Sequence, residues 1–206
     1  DVIRIWSGLG YNNRAVRLHK LATAIVDLNN GQLPESADQL KELPGIGSYT
    51  AAAISCFAFG AHHAVLDTNI YRVLSRLVHG VTPPPRGELA PLATALLPPK
   101  GADLTASHWN QALMDIGASI CTARRPRCPS CPLKSQCAAA PYLHAGGNPM
   151  LAIASVPYVA KQPKFEGSNR YYRGRIVAEL MTIPEGTTIS AEELAAKLGG
   201  ISLSAI

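Results

Sequence analysis

The stretch Leu43-Pro44-Gly45-Ile46-Gly47-Ser48-Tyr49-Thr50-Ala51 decides the fold prediction for this chain. Gly45 and Gly47 let the backbone turn tightly and approach a ligand without a Cβ in the way, and Pro44 fixes how the turn begins. A helix that begins at Ser48 directs its free first-turn amides and its positive dipole end toward one small anion, such as a phosphate. On its own, a Pro-Gly-x-Gly turn more often only joins two helices.

A candidate catalytic carboxylate, Asp67, follows Gly47 by 20 residues. It stands in Val65-Leu66-Asp67-Thr68-Asn69, where a second amphipathic helix is predicted to begin. Asp is a good N-cap, so helix capping is the alternative role for Asp67, and the two roles are compatible. The predicted buried stripe of this helix consists of Ile70, Val73, Leu74, Leu77 and Val78.

Four of the five cysteines lie within 17 positions, as Cys121-x6-Cys128-x2-Cys131-x5-Cys137. Four thiolates bind either zinc or a [4Fe-4S] cluster, and a single Cys-x2-Cys doublet with wider gaps around it moderately favours iron. Cys56 lies inside an apolar helix and is expected to be buried in the core.

Composition indicates a compact protein: 206 residues, 47% hydrophobic and only 16% charged. The net charge of +5 and the pI near 9.0 fit a phosphate-contacting surface without proving one. Arg124, Arg125 and Arg127 crowd the cysteine loop, where they either contact phosphates or form a solvated basic loop.

There is no apolar run of about 18 residues, so no membrane span is expected. With no export signal and reduced cysteines, we expect the bacterial cytoplasm, associated with the nucleoid.

The apolar periodicity is nearly all helical, which predicts an all-α fold. Near the carboxyl end, a predicted helix over 168–181 and a capping box beginning at Ser190 are typical of part of a winged-helix or helix-turn-helix module. Four parts are predicted: 1–104, a helical barrel part with the hairpin; 105–141, the cluster part; 142–164, a linker; and 165–206, a partial winged-helix-like tail.

Three features together resemble the helix-hairpin-helix DNA glycosylases of the endonuclease III superfamily. They are Leu-Pro-Gly-Ile-Gly, the following Leu-Asp-Thr-Asn, and the cysteine spacing directly after residues 109–120. The resemblance spans roughly residues 1–141 and implies their fold, a [4Fe-4S] cluster and base-excision DNA repair. It is strongest to the adenine glycosylase branch, which implies removal of adenine opposite 8-oxoguanine or guanine in double-stranded DNA by a monomer.

The resemblance also implies roles for individual residues. Asp67 is expected to stabilise the positive charge on the sugar, and Asn69 to orient Asp67 or the sugar. Tyr49 stands where endonuclease III carries a nucleophilic lysine, which favours a monofunctional glycosylase, although Tyr49 could equally be a packing residue. The implied DNA-binding residues are Tyr11, Gly45, Gly47, Ser48 and Arg72; the implied cluster ligands are Cys121, Cys128, Cys131 and Cys137. An alkali cation at the hairpin is a further implied ligand.

Tyr11 closes Trp6-Ser7-Gly8-Leu9-Gly10-Tyr11, which is similar to the adenine-branch segment Trp-x-Gly-Leu-Gly-Tyr. In that branch the tyrosine intercalates beside 8-oxoguanine, so Tyr11 is the candidate wedge that helps unstack and flip the target base. The next family tyrosine is Asn12 here, which puts part of the stacking surface in doubt.

The family's Glu-Val-Met-Leu-Gln-Gln-Thr-Gln-Val type segment, with its catalytic glutamate, has no counterpart here, and the chain begins with Asp1. We therefore expect a truncated chain that is weak or inactive by itself, because adenine departure needs a general acid.

Other functions stay open. A mismatch thymine DNA glycosylase shares the hairpin tyrosine, the aspartate and the cluster, whereas residues 8–11 and Gln111 favour the adenine branch. A noncatalytic iron–sulfur DNA-binding module and a zinc-finger regulator are the remaining alternatives. His62 and His63 have no third ligand nearby and are expected to be structural or surface residues.

Overall fold

The computed structural model describes residues 2–82, 84, 87–143 and 164–199, and no β-strand occurs among them. This agrees with the predicted all-α fold. The chain divides into two compact units. One unit holds residues 1–23 and 159–206, and the other holds residues 24–158. Most of the predicted linker, 142–164, lies outside the described residues, and the four-part division stays a prediction.

The helices follow one another in a simple order. They are α1 (Val2–Ile5), α2 (Asn13–Asn29), α3 (Ala37–Glu42), α4 (Ser48–Phe59), α5 (Thr68–Leu74), α6 (Leu89–Ala95), α7 (Ala106–Asp115), α8 (Ala140–Leu143), α9 (Asn169–Thr182) and α10 (Ala191–Lys197). Short π-helical segments, Ser75–His79 and Ile116–Ile120, continue α5 and α7, and 3-10 turns lie at Cys128–Ser130 and Lys134–Gln136. No helix in the described part of the chain is long and apolar enough to cross a membrane.

The hairpin between α3 and α4 has the predicted construction. Ser36 caps α3 and accepts a hydrogen bond from the Asp38 amide at 3.3 Å. Gly45 has φ +83°, a backbone conformation that favours glycine. Gly47 is the N-cap of α4, and its lack of a side chain leaves the first-turn amides uncapped.

The core of the larger unit lies where α5 packs against α6 and α7. Its buried members are Ile70, Val73, Leu74, Leu89, Ala93 and Leu113. Leu77 is partly buried against this core, but Val78 is 47% exposed, so its predicted burial is wrong. The π-helical segment Ser75–His79 explains this, because its wider turn rotates later side chains away from the α-helical stripe.

A second core cluster holds Cys56, Val65, Leu97 and Ala106. Cys56 is fully buried, which confirms its predicted core position. The helix α7, which begins at Ala106, is α-helical only to Asp115, and the π-helical segment Ile116–Ile120 then leads to Cys121.

The smaller unit is held together by caps and a few polar contacts. The Arg4 guanidinium donates to the carbonyls of Met181, at 2.9 Å, and Ile183, at 3.2 Å, near the end of α9. Ser190 and Glu193 form the predicted capping box at the start of α10. Lys197 on α10 pairs with Glu179 on α9 at 2.9 Å.

Candidate functional site

Asp67 lies at the amino end of α5, with its carboxylate held by two donors. Its Oδ1 accepts from the Ile70 amide at 2.6 Å, and its Oδ2 accepts from Asn69 Nδ2 at 3.1 Å. Asp67 is therefore an N-cap, as the capping alternative predicted. The carboxylate is only partly buried, so capping leaves it accessible to a ligand.

A chain of hydrogen bonds continues from Asn69 through Arg72. Arg72 Nη2 donates to Asn69 Oδ1 at 2.9 Å, which fixes which way the Asn69 amide points. The same guanidinium donates to the carbonyls of Cys121, at 2.7 Å, and Gly117, at 2.6 Å. The Asp67 carboxylate is thus linked through two side chains to the backbone at the first cysteine.

Arg72 is 6% exposed, and its donors point to protein acceptors. Burial is the largest influence on its pKa and lowers it, while the neighbouring Cys121 and Asp67 act in the opposite direction. The predicted contact between Arg72 and DNA does not fit this geometry. Arg72 instead orients Asn69 from inside the protein.

Gly117 is a site residue that sequence reasoning missed. A Cβ placed on Gly117 would lie 2.6 Å from Asn69 Cβ, closer than real carbon atoms approach. The absent side chain lets the segment after α7 lie directly against α5 and present its carbonyl to Arg72. Only the glycine itself, inside an otherwise helical stretch, could have indicated this close approach.

Tyr49 lies on the first turn of α4 and is 46% exposed. Its pKa is raised above the ordinary value, first by burial and second by the negative charge of Asp67. Tyr49 therefore lies within electrostatic reach of Asp67 and stays neutral through the physiological pH range. Its half-exposed position does not support a purely packing role.

The hairpin presents its polar backbone outward. Leu43 and Ile46 are buried and anchor the turn, whereas Gly45, Gly47 and Ser48 are exposed. The first-turn amides of α4 have no intrahelical acceptor, and no atom of the described residues lies within 4 Å of a Cβ built on Gly47. This surface can accommodate a phosphate, with space for its oxygens beside the amides.

The four clustered cysteines line one cavity, together with Arg76. Arg76 is 1% exposed and donates to Cys121 Sγ at 3.3 Å and to the carbonyl of Thr122 at 2.8 Å. Burial raises the pKa of Cys137, and hydrogen bonds from the Ala139 and Ala140 backbones partly offset that effect. The donor set, four thiols around one cavity with N–H donors to sulfur, fits an iron–sulfur cluster.

Among the residues that the structure describes, no group of three or more His, Cys, Asp or Glu is placed to hold a single metal ion. One ring nitrogen of His62 lies 2.7 Å from the Pro98 carbonyl, a structural contact that fits its predicted role.

Sequence reasoning also missed Arg76, since its distance of 45 residues from Cys121 gives no local signal.

Tyr11 belongs to the smaller unit and is 78% exposed. Its φ of +48° is unusual for a residue with a side chain. The Trp6 indole donates to the Gly10 carbonyl at 2.9 Å, and the Arg14 guanidinium lies 5.7 Å from the Trp6 ring centroid. Tyr11 thus presents an exposed ring on a turn that the Trp6 indole braces, and its role as a wedge stays a prediction.

Comparison with known proteins agrees with this geometry. Residues 29–57 match the model described as "Helix-hairpin-helix motif", and they include α3, the hairpin and most of α4. Adenine DNA glycosylases of Mycolicibacterium smegmatis and Mycobacterium tuberculosis are 40% identical over 178 residues and 42% identical over 182 residues. Each alignment covers 86% of this chain. The chain belongs to the helix-hairpin-helix DNA glycosylases.

The similar adenine DNA glycosylases include the human enzyme, at 39% identity over 145 residues. The chain spans about half the length of the bacterial relatives, 56% and 55%. The human alignment covers 68% of this chain and 26% of that relative.

Two solved glycosylase structures have the same fold. A thermostable thymine-DNA glycosylase matches with a TM-score of 0.61 and 31% identity, over 68% of this chain and 64% of that one. A noncovalent endonuclease III–DNA complex matches with a TM-score of 0.52 and 31% identity, over 65% and 60% of the two chains. These similarities confirm the predicted helix-hairpin-helix glycosylase fold.

Proposed function

We propose that this chain carries the catalytic aspartate of a base-excision repair activity that removes adenine paired with 8-oxoguanine or guanine from double-stranded DNA. Release by this chain alone is expected to be weak or absent, because no segment here matches the family's glutamate segment, which supplies the general acid. The observation that carries the proposal is the partly exposed Asp67 carboxylate, oriented by Asn69 and Arg72, in a homologue of adenine DNA glycosylases. Cleavage of the N-glycosidic bond leaves positive charge on the sugar, which a fixed carboxylate stabilises. Asp67, Asn69 and Tyr49 are the proposed catalytic group.

The proposed reaction is monofunctional. A Schiff base with the sugar requires an amine, and Tyr49 carries a neutral hydroxyl whose pKa is raised by burial and by Asp67. Tyr49 can donate a hydrogen bond toward the sugar or its substituents, while water completes hydrolysis.

DNA binding is proposed to use the hairpin and Tyr11. The first-turn amides of α4 bind one backbone phosphate, and the hairpin carbonyls supply the oxygen ligands for an alkali cation. The endonuclease III structures that resemble this chain are complexes with DNA. Tyr11 is the proposed wedge, since its exposed ring can stack in the place of a displaced base.

A [4Fe-4S] cluster held by Cys121, Cys128, Cys131 and Cys137 is part of the proposal. The cavity that these cysteines share with Arg76 supports it. The cluster would order the surrounding loop by cross-linking it. We further propose a monomer that acts in the bacterial cytoplasm, as a DNA repair enzyme would.

The second candidate is a mismatch thymine DNA glycosylase, which the structural similarity at 31% identity favours. The higher identity of 40–42% to adenine glycosylases supports the adenine reaction over it.

The test is single-turnover base release from duplexes that hold adenine opposite 8-oxoguanine, with thymine opposite guanine as the competing substrate. Two proteins are compared: this chain alone, and a chimera that adds the amino-terminal segment of the Mycolicibacterium smegmatis relative. Adenine release by the chimera, lost in its Asp67→Asn variant, is the expected result, with weak or no release by the chain alone. Preferential thymine release would overturn the adenine assignment, and duplex binding without release by both proteins would favour a noncatalytic module.

A further inference from the structure

Charge is segregated along the carboxyl-terminal part of the smaller unit. Residues 164–175 contain one lysine, three arginines and one glutamate, a net charge of +3. Residues 176–199 contain one lysine and four glutamates, a net charge of −3. We call residues 164–175, the first half of α9 with the residues before it, the basic segment. Its charge is concentrated in one short stretch of the chain and favours an anionic partner there.

The arginines of the basic segment lie against aromatic rings. The Arg175 guanidinium is 5.7 Å from the Tyr171 ring centroid, and that ring packs edge-on against Tyr172 with centroids 5.4 Å apart. Arg170 is likewise 5.7 Å from the Phe165 ring centroid. A guanidinium group that already lies against a ring loses less conformational freedom when it binds a phosphate.

Arg173 and Arg175 are exposed, and neither makes an ion pair with a carboxylate in the described ranges. Lys197, which lies in the acidic stretch 176–199, by contrast pairs with Glu179 on α9. The positive charges of Arg173 and Arg175 therefore remain available to a ligand.

Gly174 gives an independent indication of a close partner. It lies inside α9, where glycine is less favourable than every ordinary residue except proline. No described atom lies within 4 Å of a Cβ built at this position, so packing against those atoms does not require glycine. Arg170, at the i−4 position, lies on the same helix face as Gly174, and the bare backbone beside it lets a bulky ligand approach closely.

We propose that the basic segment binds the phosphate backbone of duplex DNA, in addition to the contacts of the hairpin and the wedge. This inference deepens the proposed function and rests on it for the presence of duplex DNA. Regularly spaced phosphates complement several fixed guanidinium groups, and a close backbone approach accounts for the glycine. The contact is independent of base sequence, since it is made to phosphates.

Binding of the full chain to a short undamaged duplex tests the proposal, measured by fluorescence anisotropy over a range of salt concentrations. The Arg173→Gln/Arg175→Gln variant is expected to bind about tenfold more weakly, with a salt-dependence slope smaller by about 1.8. The matched control, Arg17→Gln/Lys20→Gln, removes the same charge from exposed positions on α2 in the same unit. Equal weakening in both double variants would overturn the proposal, because affinity would then follow net charge alone.

Gly174→Ala separates a contact from a folding effect. This variant is expected to keep or raise the thermal midpoint of unfolding, because alanine favours the helix. It is nevertheless expected to weaken duplex binding about threefold, because the added methyl group keeps the DNA backbone from approaching the helix closely. Unchanged duplex affinity in both Gly174→Ala and the arginine double variant would overturn the proposal, and tighter binding to RNA or an acidic peptide would reassign the surface.

Base release gives a separate readout of the proposed function. Undamaged duplex contains no substrate, so a chain that fails to release adenine can still show the effect of the basic segment on binding. Conversely, adenine release with no effect of the arginine variant on duplex affinity would overturn this inference alone.

Discussion

At the scale of single residues, Asn69 joins the two parts of the candidate site. Its amide donates to Asp67 at 3.1 Å and accepts from Arg72 at 2.9 Å, so one planar group fixes the carboxylate relative to a buried cation. Because a carboxylate that stabilises charge must be held in one place, this geometry argues for orientation as the role of Asn69.

Asn69→Leu is expected to lower single-turnover adenine release by roughly a hundredfold, since the carboxylate loses one donor and Arg72 loses an acceptor. The measurement uses whichever protein of the release assay is active. Thr94→Val is the matched control, because Thr94 donates to the Ala90 carbonyl at 3.1 Å on the exposed face of α6. Equal losses in the two variants would contradict the orientation role.

Tyr49→Lys is expected to create a lyase. A lysine at this position would bring an amine near Asp67, where it can attack the sugar once the base has left. Borohydride trapping of a covalent protein–DNA complex is the measurement, and Tyr49→Met, which lacks the amine, is the control. Trapping in neither variant would show that position 49 lies too far from the sugar.

At the scale of elements, the approach of α5 to the segment after α7 depends on Gly117. Gly117→Ala is expected to destabilise the protein by about 1–3 kcal/mol, because the added methyl group overlaps Asn69 Cβ. Chemical denaturation measures this change. Gly174→Ala, at a helical glycine with open space around it, is the control and should not destabilise the protein. A neutral Gly117→Ala would mean that the two elements separate at little cost.

Asn110 connects the chain before Asp67 to α7. Its Oδ1 accepts from the Val65 amide at 3.0 Å, and its Nδ2 donates to the His63 carbonyl at 2.9 Å. Asn110→Leu is expected to lower the free energy of unfolding by about 2–4 kcal/mol, because it leaves these buried backbone groups without partners. Gln111→Leu, one position further along α7, is the control for stability, because its hydrogen bond to Asp115 is exposed. A loss below about 0.5 kcal/mol would contradict this account, since that is the range of ordinary surface substitutions.

At the scale of the whole molecule, the cysteine cavity joins elements that are far apart in sequence. Arg76 lies just after α5, while the cysteines lie in the loop after α7. A cluster that cross-links this loop would contribute binding free energy to the fold.

Purified protein is expected to hold about four iron atoms per chain, as a [4Fe-4S] cluster requires, and to lose near-ultraviolet circular dichroism when the iron is removed. Metal analysis and visible absorbance check this expectation, with Cys56→Ser as the control at a buried cysteine outside the cavity. One zinc per chain and no iron would contradict it.

Much of the fold could be predicted because its signals are local. Ser36, Ser190 and the hairpin glycines act on backbone groups within a few residues, so the caps, the turn and the beginnings of α3, α4 and α10 follow from the sequence. Asp67 could be identified for the same reason, since its N-cap position and its place after the hairpin are both read along the chain.

The sequence by itself determined the all-helical elements, the hairpin, the capping aspartate and the cysteine spacing. Only the tertiary structure decided that Arg72 is buried beneath Asn69, that Gly117 lies against α5, and that Val78 faces solvent. The contacts of Arg72 with Gly117 and Cys121 join residues 45 and 49 positions apart, and the π-helical segment after α5 breaks the regular periodicity. Such features depend on which surfaces meet after folding, and no local propensity encodes that.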